Sequence, residues 1–224
     1  MRLPTLRSQE DLCALVNELG FLPFFKCGIE GFSIAECCPP ELWFKDDVDG
    51  PWEWKGPVIN AIGCAYGKFI RNKTCYISRE WFPDFANIRR DGWDYEGRLA
   101  EGLARYSDRR IMEVLDEHKS LLSRDLRALA CPNEDSRKNF DARLTRLQME
   151  TFITTVDFEY GIDAYGKPFG WGIARYATPE AAFGEEFVEV AYARTPEESR
   201  KRVAAHLHSV LPDATDAEIE RFIG

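Results

Sequence analysis

The chain of 224 residues is long enough for one large domain or two small ones, and its 45% hydrophobic and 13% aromatic content excludes a disordered segment. No run approaches the roughly 20 apolar residues of a membrane helix, so we expect no membrane partner. The net charge of −9 excludes a general polyanion binder, and seven cysteines without a CxxC pair are typical of a cytoplasmic protein with free thiols.

Residues 1–105 are predicted to form an aromatic-rich α/β region. A helix is expected between Ser8, which is typical of a capping residue, and Gly20, which follows the last residue of an apolar stripe. Two runs rich in β-branched and aromatic residues, Ala65–Ile70 and Thr74–Ser78, indicate an antiparallel hairpin with a basic turn between them.

This region also holds two candidate binding features. Residues 68–90 carry six basic side chains against two acidic ones, which fits one local anionic partner on an acidic protein. Arginines and aromatic residues are concentrated between residues 89 and 95, a pattern that fits either phosphate contact with base stacking or an internal ion-pair network. Four of the six tryptophans supply either the wall of a small-molecule pocket or packing against the core; they are Trp52, Trp54, Trp81 and Trp93.

Residues 106–180 have the pattern of three short helices followed by a two-stranded hairpin, which is the order of a winged helix. The third helix follows Asn139 and repeats apolar residues at intervals of three and four. In a winged helix the third helix enters a DNA groove and the hairpin is the wing; the alternative is a small α+β core with no groove to fill. The predicted core of this unit is Phe140, Leu144, Leu147, Phe152 and Trp171.

Residues 181–224 are predicted to be helical, because Thr195 and Thr215 each stand three residues before a glutamate, the pattern of a capping box. We therefore expect an α+β fold: a winged-helix-like core, an N-terminal aromatic-rich region and C-terminal helices. No Gly/Ser-rich linker separates these parts, which indicates one integrated body, and the oligomeric state is left open. We expect neither a cofactor nor a metal, since no P-loop or Rossmann glycine pattern occurs and His206 and His208 diverge on a helix.

The sequence Leu147-Gln-Met-Glu, where the third helix leads into the hairpin, resembles the motif of the AlkZ/YcaQ-type winged-helix DNA glycosylases. That motif is Gln-apolar-Gln or Gln-apolar-Asp after a leucine, and its counterparts here are Gln148, Met149 and Glu150. Glu150 departs from the motif, and the chain is much shorter than a glycosylase built from tandem winged helices. Other segments resemble a shorter AlkZ-related group; they begin at Trp52, Ala65, Arg79, Arg89, Arg146 and Tyr176.

The resemblance implies a DNA-repair enzyme that hydrolyses the N-glycosidic bond in alkylated double-stranded DNA. In that role Gln148 holds the attacking water, and Glu150 accepts its proton or stabilises positive charge on the sugar. Side chains two residues apart share a face on a strand but diverge on a helix, so this pair converges only if the chain is extended there. The expected phosphate contacts come from Arg71, Lys73, Arg89, Arg90, Arg143 and Lys167.

Two functions of other classes stay open at this point: a non-catalytic module that binds protein, and a small-molecule-binding protein that uses the tryptophans. The net negative charge favours both of them, whereas the basic cluster and the resemblance favour nucleic acid. The surface around Gln148 separates these functions. An open, positively charged cleft favours nucleic acid, and burial under the N-terminal region argues against it.

Overall fold

The computed structural model describes residues 3–43, 48–166 and 168–224. Its N-terminal part alternates helices with three strands, and the predicted capping box at Ser8 is confirmed by the bond from the Asp11 N–H to Ser8 Oγ. The elements are α1 (Gln9–Leu19), β1 (Phe21–Pro23), α2 (Ile34–Cys37), α3 (Pro51–Ile62), β2 (Ala65–Ile70), β3 (Lys73–Ile77), α4 (Phe82–Arg90) and α5 (Tyr95–Ala100).

The middle of the chain contains helices and a long hairpin in the predicted order, with an additional short strand and an additional short helix. The elements are α6 (Arg109–His118), β4 (Ser120–Leu122), α7 (Ser123–Ala130), α8 (Glu134–Lys138), α9 (Phe140–Met149), β5 (Thr154–Ile162) and β6 (Pro168–Ala177). The C-terminal part is helical, as predicted, and both threonine capping boxes form. Its helices are α10 (Pro179–Phe183), α11 (Glu185–Glu189), α12 (Pro196–Val210) and α13 (Asp216–Ile223).

A six-stranded antiparallel sheet, in the order β1-β3-β2-β5-β6-β4, runs through the first two parts. The predicted hairpin is confirmed as β2–β3, with Ala65 opposite Ile77. Strand β2 also pairs with β5 through Tyr66 and Thr155, which joins this hairpin to the long hairpin β5–β6. The fold is therefore α+β, as predicted. None of the helices in the described ranges is both long and apolar enough to cross a bilayer.

Buried apolar side chains form two clusters. The first combines residues between Leu3 and Ile88 with residues between Val188 and Ile223, so α12 and α13 complete the N-terminal core. The second lies between Ile111 and Ile153 and holds α6, α7 and α9 together. Most of the core predicted for this unit is confirmed, because four of its members are buried here, whereas the side chain of the fifth lies outside the described residues. The four are Phe140, Leu144, Leu147 and Phe152.

Replacing Leu147 by Ala is expected to lower the free energy of unfolding by about 2–5 kcal/mol, because the side chain is 1% exposed and truncation leaves a cavity. Urea denaturation of the wild type and the variant measures this loss. Leu129→Ala is the matched control, since Leu129 is 43% exposed and should change stability by no more than about 0.5 kcal/mol. Equal losses in the two variants would contradict the assigned packing of α9.

Candidate functional site

Helix α9 ends in a Schellman motif at the predicted catalytic sequence. The Thr151 N–H bonds to the Gln148 carbonyl at 2.8 Å, and the Phe152 N–H bonds to the Leu147 carbonyl at 2.9 Å. This motif needs one left-handed residue, usually glycine, and Thr151 takes that place with φ at +62°. A β-branched residue in this conformation is strained, so neighbouring groups must hold it.

Arg90 holds the strained residue. Its Nη2 donates to the Thr151 carbonyl at 2.8 Å and its Nε donates to Thr151 Oγ1 at 3.3 Å. The remaining contacts are with Glu180 Oε1 and, at 3.0 Å, with the Tyr192 hydroxyl. Because Arg90 is 1% exposed, the prediction that it contacts phosphate is wrong, and the alternative of an internal network applies to this residue.

Gln148 is also turned inward, because it lies on the face of α9 that packs against β2. Its Oε1 accepts the Lys68 N–H at 3.0 Å, its Nε2 donates to the Leu144 carbonyl at 3.2 Å, and it is 2% exposed. The chain is still helical here, so Gln148 and Glu150 do not converge. By the criterion stated above, this burial under the N-terminal region argues against nucleic acid at Gln148, and it removes Gln148 as a group that touches substrate.

Glu150 faces the other way, into an open cleft of about 590 Å³. The cleft lies between the β2–β3 hairpin, the end of α4 and the exposed face of α9. Three basic side chains and two carboxylates line it. Its lining residues are Lys68, Asn72, Arg89, Asp141, Ala142, Thr145, Arg146, Met149 and Glu150. The predicted catalytic carboxylate is thus accessible, although its predicted partner is not.

The surroundings of Glu150 change its acidity. Burial raises the pKa of this carboxyl above its ordinary value, and the charge of Asp108 acts in the same direction. Arg98 and Arg146 lower the pKa and offset part of this rise. Across the cleft, burial lowers the pKa of Arg89 to about 10. The carboxyl therefore keeps its proton to higher pH than an ordinary glutamate does.

Several hydrogen-bond donors around Glu150 are held in place but incompletely satisfied. Arg146 binds the buried Asp108 through two N–H groups, with Nε to Oδ2 at 2.8 Å. Among the described residues, the Tyr95 hydroxyl, Arg98 Nε and Arg89 Nε are buried without a hydrogen-bond partner. Buried polar groups normally have partners, so these three donors are exceptions, and further atoms of this kind lie elsewhere among the described residues.

The remaining predicted basic residues fall into three groups. Arg71 and Lys73 are exposed at the hairpin tip on either side of Asn72, and Arg71 donates to the Cys27 carbonyl at 3.2 Å. Arg143 is 8% exposed and donates to the Ser136 carbonyl at 3.3 Å, so the prediction of a phosphate contact is corrected there. Lys167 lies outside the described residues.

The tryptophans are dispersed in the structure. Trp54 is 2% exposed in the first cluster, and Trp81 stacks on His206 with ring centroids 4.0 Å apart. Trp52 packs against Phe24, whereas Trp93 is 39% exposed. Trp54 and Trp81 therefore support the alternative of core packing, and the prediction of one pocket lined by all four is corrected.

Sequence reasoning did not assign Lys68, Asn72 or Arg146 to the site of Glu150, and it offered Tyr95 only as part of the stretch rich in arginine and aromatic residues. Lys68 was part of the basic cluster, and Arg146 stands two residues before Gln148. The missing information was the packing of β2 against α9, which brings residues about 80 positions apart into one cleft.

The fold and the cleft define an α+β protein with an open cleft that is lined by three basic side chains and two carboxylates, of which Glu150 is partly buried. The family model described as AlkZ related matches residues 6–224, so the chain belongs to the AlkZ-related family. Comparison with curated proteins and with solved structures found no match.

Proposed function

We propose that this chain binds duplex DNA and hydrolyses the N-glycosidic bond of an alkylated nucleotide held in the cleft beside Glu150. The observation that carries the proposal is Glu150 itself. It is a partly desolvated carboxylate that faces an open basic cleft, at the motif position through which the sequence resembles the DNA glycosylases. Membership of the AlkZ-related family supports the same class of substrate.

We also propose that α6 to β6 act as a winged helix. The order helix, strand, helix, short helix, helix and hairpin supports this assignment, as does the antiparallel pairing of β4 with β6, in which Leu121 lies opposite Tyr176. Strand β2 covers one side of α9, so the helix offers DNA only the face that lines the cleft. A duplex therefore has to present its nucleotide to the cleft, which requires that nucleotide to leave the base stack.

The chemical step needs a water molecule and one carboxylate. The water oxygen bonds to the anomeric carbon of the sugar, the carbon–nitrogen bond breaks, and its electron pair leaves with the base. Glu150 accepts the proton of the water, or in its ionised form stabilises positive charge on the sugar. An alkylated base that carries a positive charge leaves as a neutral molecule. Gln148 acts only through packing, by joining α9 to the backbone of β2.

The proposed phosphate contacts come from Lys68 and Arg89, which line the cleft, and from Arg71 and Lys73 at the hairpin tip beside it, whose side chains donate to the Cys27 and Lys26 carbonyls. Lys68 Nζ bonds to Thr145 Oγ1 at 3.3 Å across the cleft, so it stands near the exposed face of α9. Four such contacts contribute about −3 to −4 to the slope of log affinity against log salt. At low salt, where charges are least screened, the net charge of −9 repels DNA over long range. Binding of DNA therefore depends on these local contacts.

The test combines binding and base release on one alkylated duplex. The wild type is expected to bind with a steep salt dependence and to release the alkylated base under single-turnover conditions. Lys68→Gln, Arg71→Gln and Lys73→Gln together should flatten the salt slope by about 3, because three phosphate contacts are lost. Lys201→Gln is the control, since Lys201 is exposed on α12 and pairs with Glu197.

The burial of Gln148 favours a second candidate, a non-catalytic DNA-binding module that retains the cleft. That candidate predicts salt-dependent binding without base release. Absence of base release by the wild type contradicts the enzymatic proposal, and absence of duplex binding at low salt contradicts both.

A further inference from the structure

A second basic cleft, of about 500 Å³, lies at the start of α9. It is formed by α7, the end of α8 and the first turn of α9. Three exposed arginines face one carboxylate there, on a protein that is acidic overall. The lining residues are Ser123, Arg124, Arg127, Ala128, Arg137, Phe140 and Asp141.

Two of the three guanidinium groups are held in position by the protein. Arg127 donates from Nη2 to the Arg137 carbonyl at 3.2 Å and lies 5.6 Å from the centroid of the Phe140 ring. Arg137 donates from Nε to the Cys131 carbonyl at 3.0 Å. Each of these bonds uses one of the five N–H donors of a guanidinium, so both side chains are ordered and keep donors for a ligand.

Arg124 is the third cation of this cleft, and its contact with the rest of the protein is weaker. It is 63% exposed along its side chain, and its Nε lies 3.5 Å from Asp125 Oδ1. Exposed pairs of this kind contribute little, so Arg124 can exchange this partner for a phosphate at small cost. Planar guanidinium groups match phosphate geometry through two parallel hydrogen bonds, which favours a phosphodiester over a single point contact.

The two clefts are parts of one surface, because Asp141 lines both. From Asp141 to Glu150 the chain advances nine residues along α9, which is roughly 13 Å at the rise of an α-helix. One strand of a duplex carries a phosphate about every 3.4 Å along the axis, so for a duplex whose axis runs parallel to α9 these 13 Å correspond to about four nucleotides. The carboxylate of Asp141 between the clefts repels phosphate, which separates the two contacts.

We propose that Arg124, Arg127 and Arg137 bind the sugar–phosphate backbone of the duplex, about four nucleotides from the nucleotide in the Glu150 cleft. This inference rests on the proposed function and adds a second point of attachment to it. A duplex held at both points is fixed in register along α9. With seven contacts in total, the salt slope of the wild type is about −6, whereas the four contacts of the first cleft alone give −3 to −4.

The test is the salt dependence of duplex binding by the wild type and by the double variant Arg124→Gln/Arg127→Gln, measured by fluorescence anisotropy. Arg137 is kept because its bond to the Cys131 carbonyl ties α8 to α7. The double variant is expected to flatten the slope by about 2. The control is Arg110→Gln, an arginine of similar exposure on α6 that pairs with Glu113, and it should leave the slope unchanged.

A second measurement locates the contact along the DNA. Single uncharged methylphosphonates are placed at successive positions on either side of the alkylated nucleotide. A replacement about four nucleotides away should weaken binding by the wild type and have no effect on the double variant. Thermal unfolding of both proteins confirms that the double variant is folded.

The outcomes separate this inference from the proposed function. An unchanged slope in a folded double variant overturns the inference, and so does a methylphosphonate profile that is the same in both proteins. Base release by such a variant would leave the proposed function intact. Conversely, a slope of about −6 that flattens in the double variant supports the backbone site even if the wild type releases no base. A wild type that binds no duplex overturns both.

Discussion

Replacing Glu150 by Gln is expected to lower the single-turnover rate of base release by roughly 10²- to 10⁴-fold, the usual contribution of a general base. The substitution keeps the size of the side chain but removes the oxygen that accepts a proton or carries negative charge. The measurement is release of an alkylated base from duplex DNA with enzyme in excess. Binding of the duplex should change little, because Lys68 and Arg89 keep their contacts.

The pH dependence gives a second signature of the same residue. Burial raises the pKa of Glu150, so its ionised form becomes dominant at a higher pH than in an ordinary glutamate. The wild-type rate should fall as pH falls through this raised pKa, and Glu150→Gln should lose that limb of the profile. Glu197→Gln is the control, because Glu197 is exposed on α12 and should leave the profile unchanged.

A measurement of stability distinguishes a loss of the chemical step in Glu150→Gln from a loss of the folded structure. A carboxyl whose pKa is raised by folding binds its proton more tightly in the folded state, so stability falls as pH rises between the unfolded and folded values. At neutral pH the charge of Glu150 is therefore unfavourable, and Glu150→Gln should be as stable as the wild type or more so. Full activity in this variant, or a large drop in its unfolding temperature, would contradict the assigned role.

Replacing Arg90 by Ala is expected to lower the free energy of unfolding by about 3–5 kcal/mol, because it removes one partner of a buried charged network. The variant leaves the Thr151 carbonyl without its strongest donor, and Glu180 without its cation. Urea denaturation measures the loss. Arg71→Ala is the matched control, since Arg71 is exposed at the hairpin tip.

The interaction of Arg90 with Thr151 can be isolated by a double-mutant cycle. Thr151→Gly removes the hydroxyl and adopts the left-handed conformation without strain, so the loss on removing Arg90 should be smaller in its background. Coupling near zero, or a loss below about 1 kcal/mol in Arg90→Ala alone, would contradict the role given to this arginine.

Local signals predicted much of the fold. The capping boxes at Ser8, Thr195 and Thr215 formed, because a side chain three residues away satisfies a free backbone group in each. The β2–β3 hairpin and the apolar face of α9 were also predicted, since both follow from periodicity over a few residues. Capping boxes, short hairpins and apolar helix faces can be predicted without knowing which residues distant in sequence they contact.

The candidate site was predictable only in part. The motif located Glu150, but the orientation of Gln148 depends on a helix end that carries Thr151 where glycine is usual, so no turn signal marked it. The burial of Arg90 depends on Glu180 and Tyr192, which lie 90 and 102 residues away. Basic residues in a run look alike in sequence, and only packing decides which of them face solvent.

The first hydrophobic cluster has a consequence for the order in which the chain folds during synthesis. The buried members of this cluster stop at Ile88 and resume at Val188, about 100 residues later, among the described residues. At the usual speed of translation, the ribosome takes roughly 5–20 s to extend the chain from Ile88 to Val188, and the N-terminal strands wait longer still for α12 and α13 to cover them. The second cluster needs only residues 111–153 and is complete earlier. A nascent chain of this protein therefore exposes aromatic surface in its N-terminal part while the second cluster is already packed.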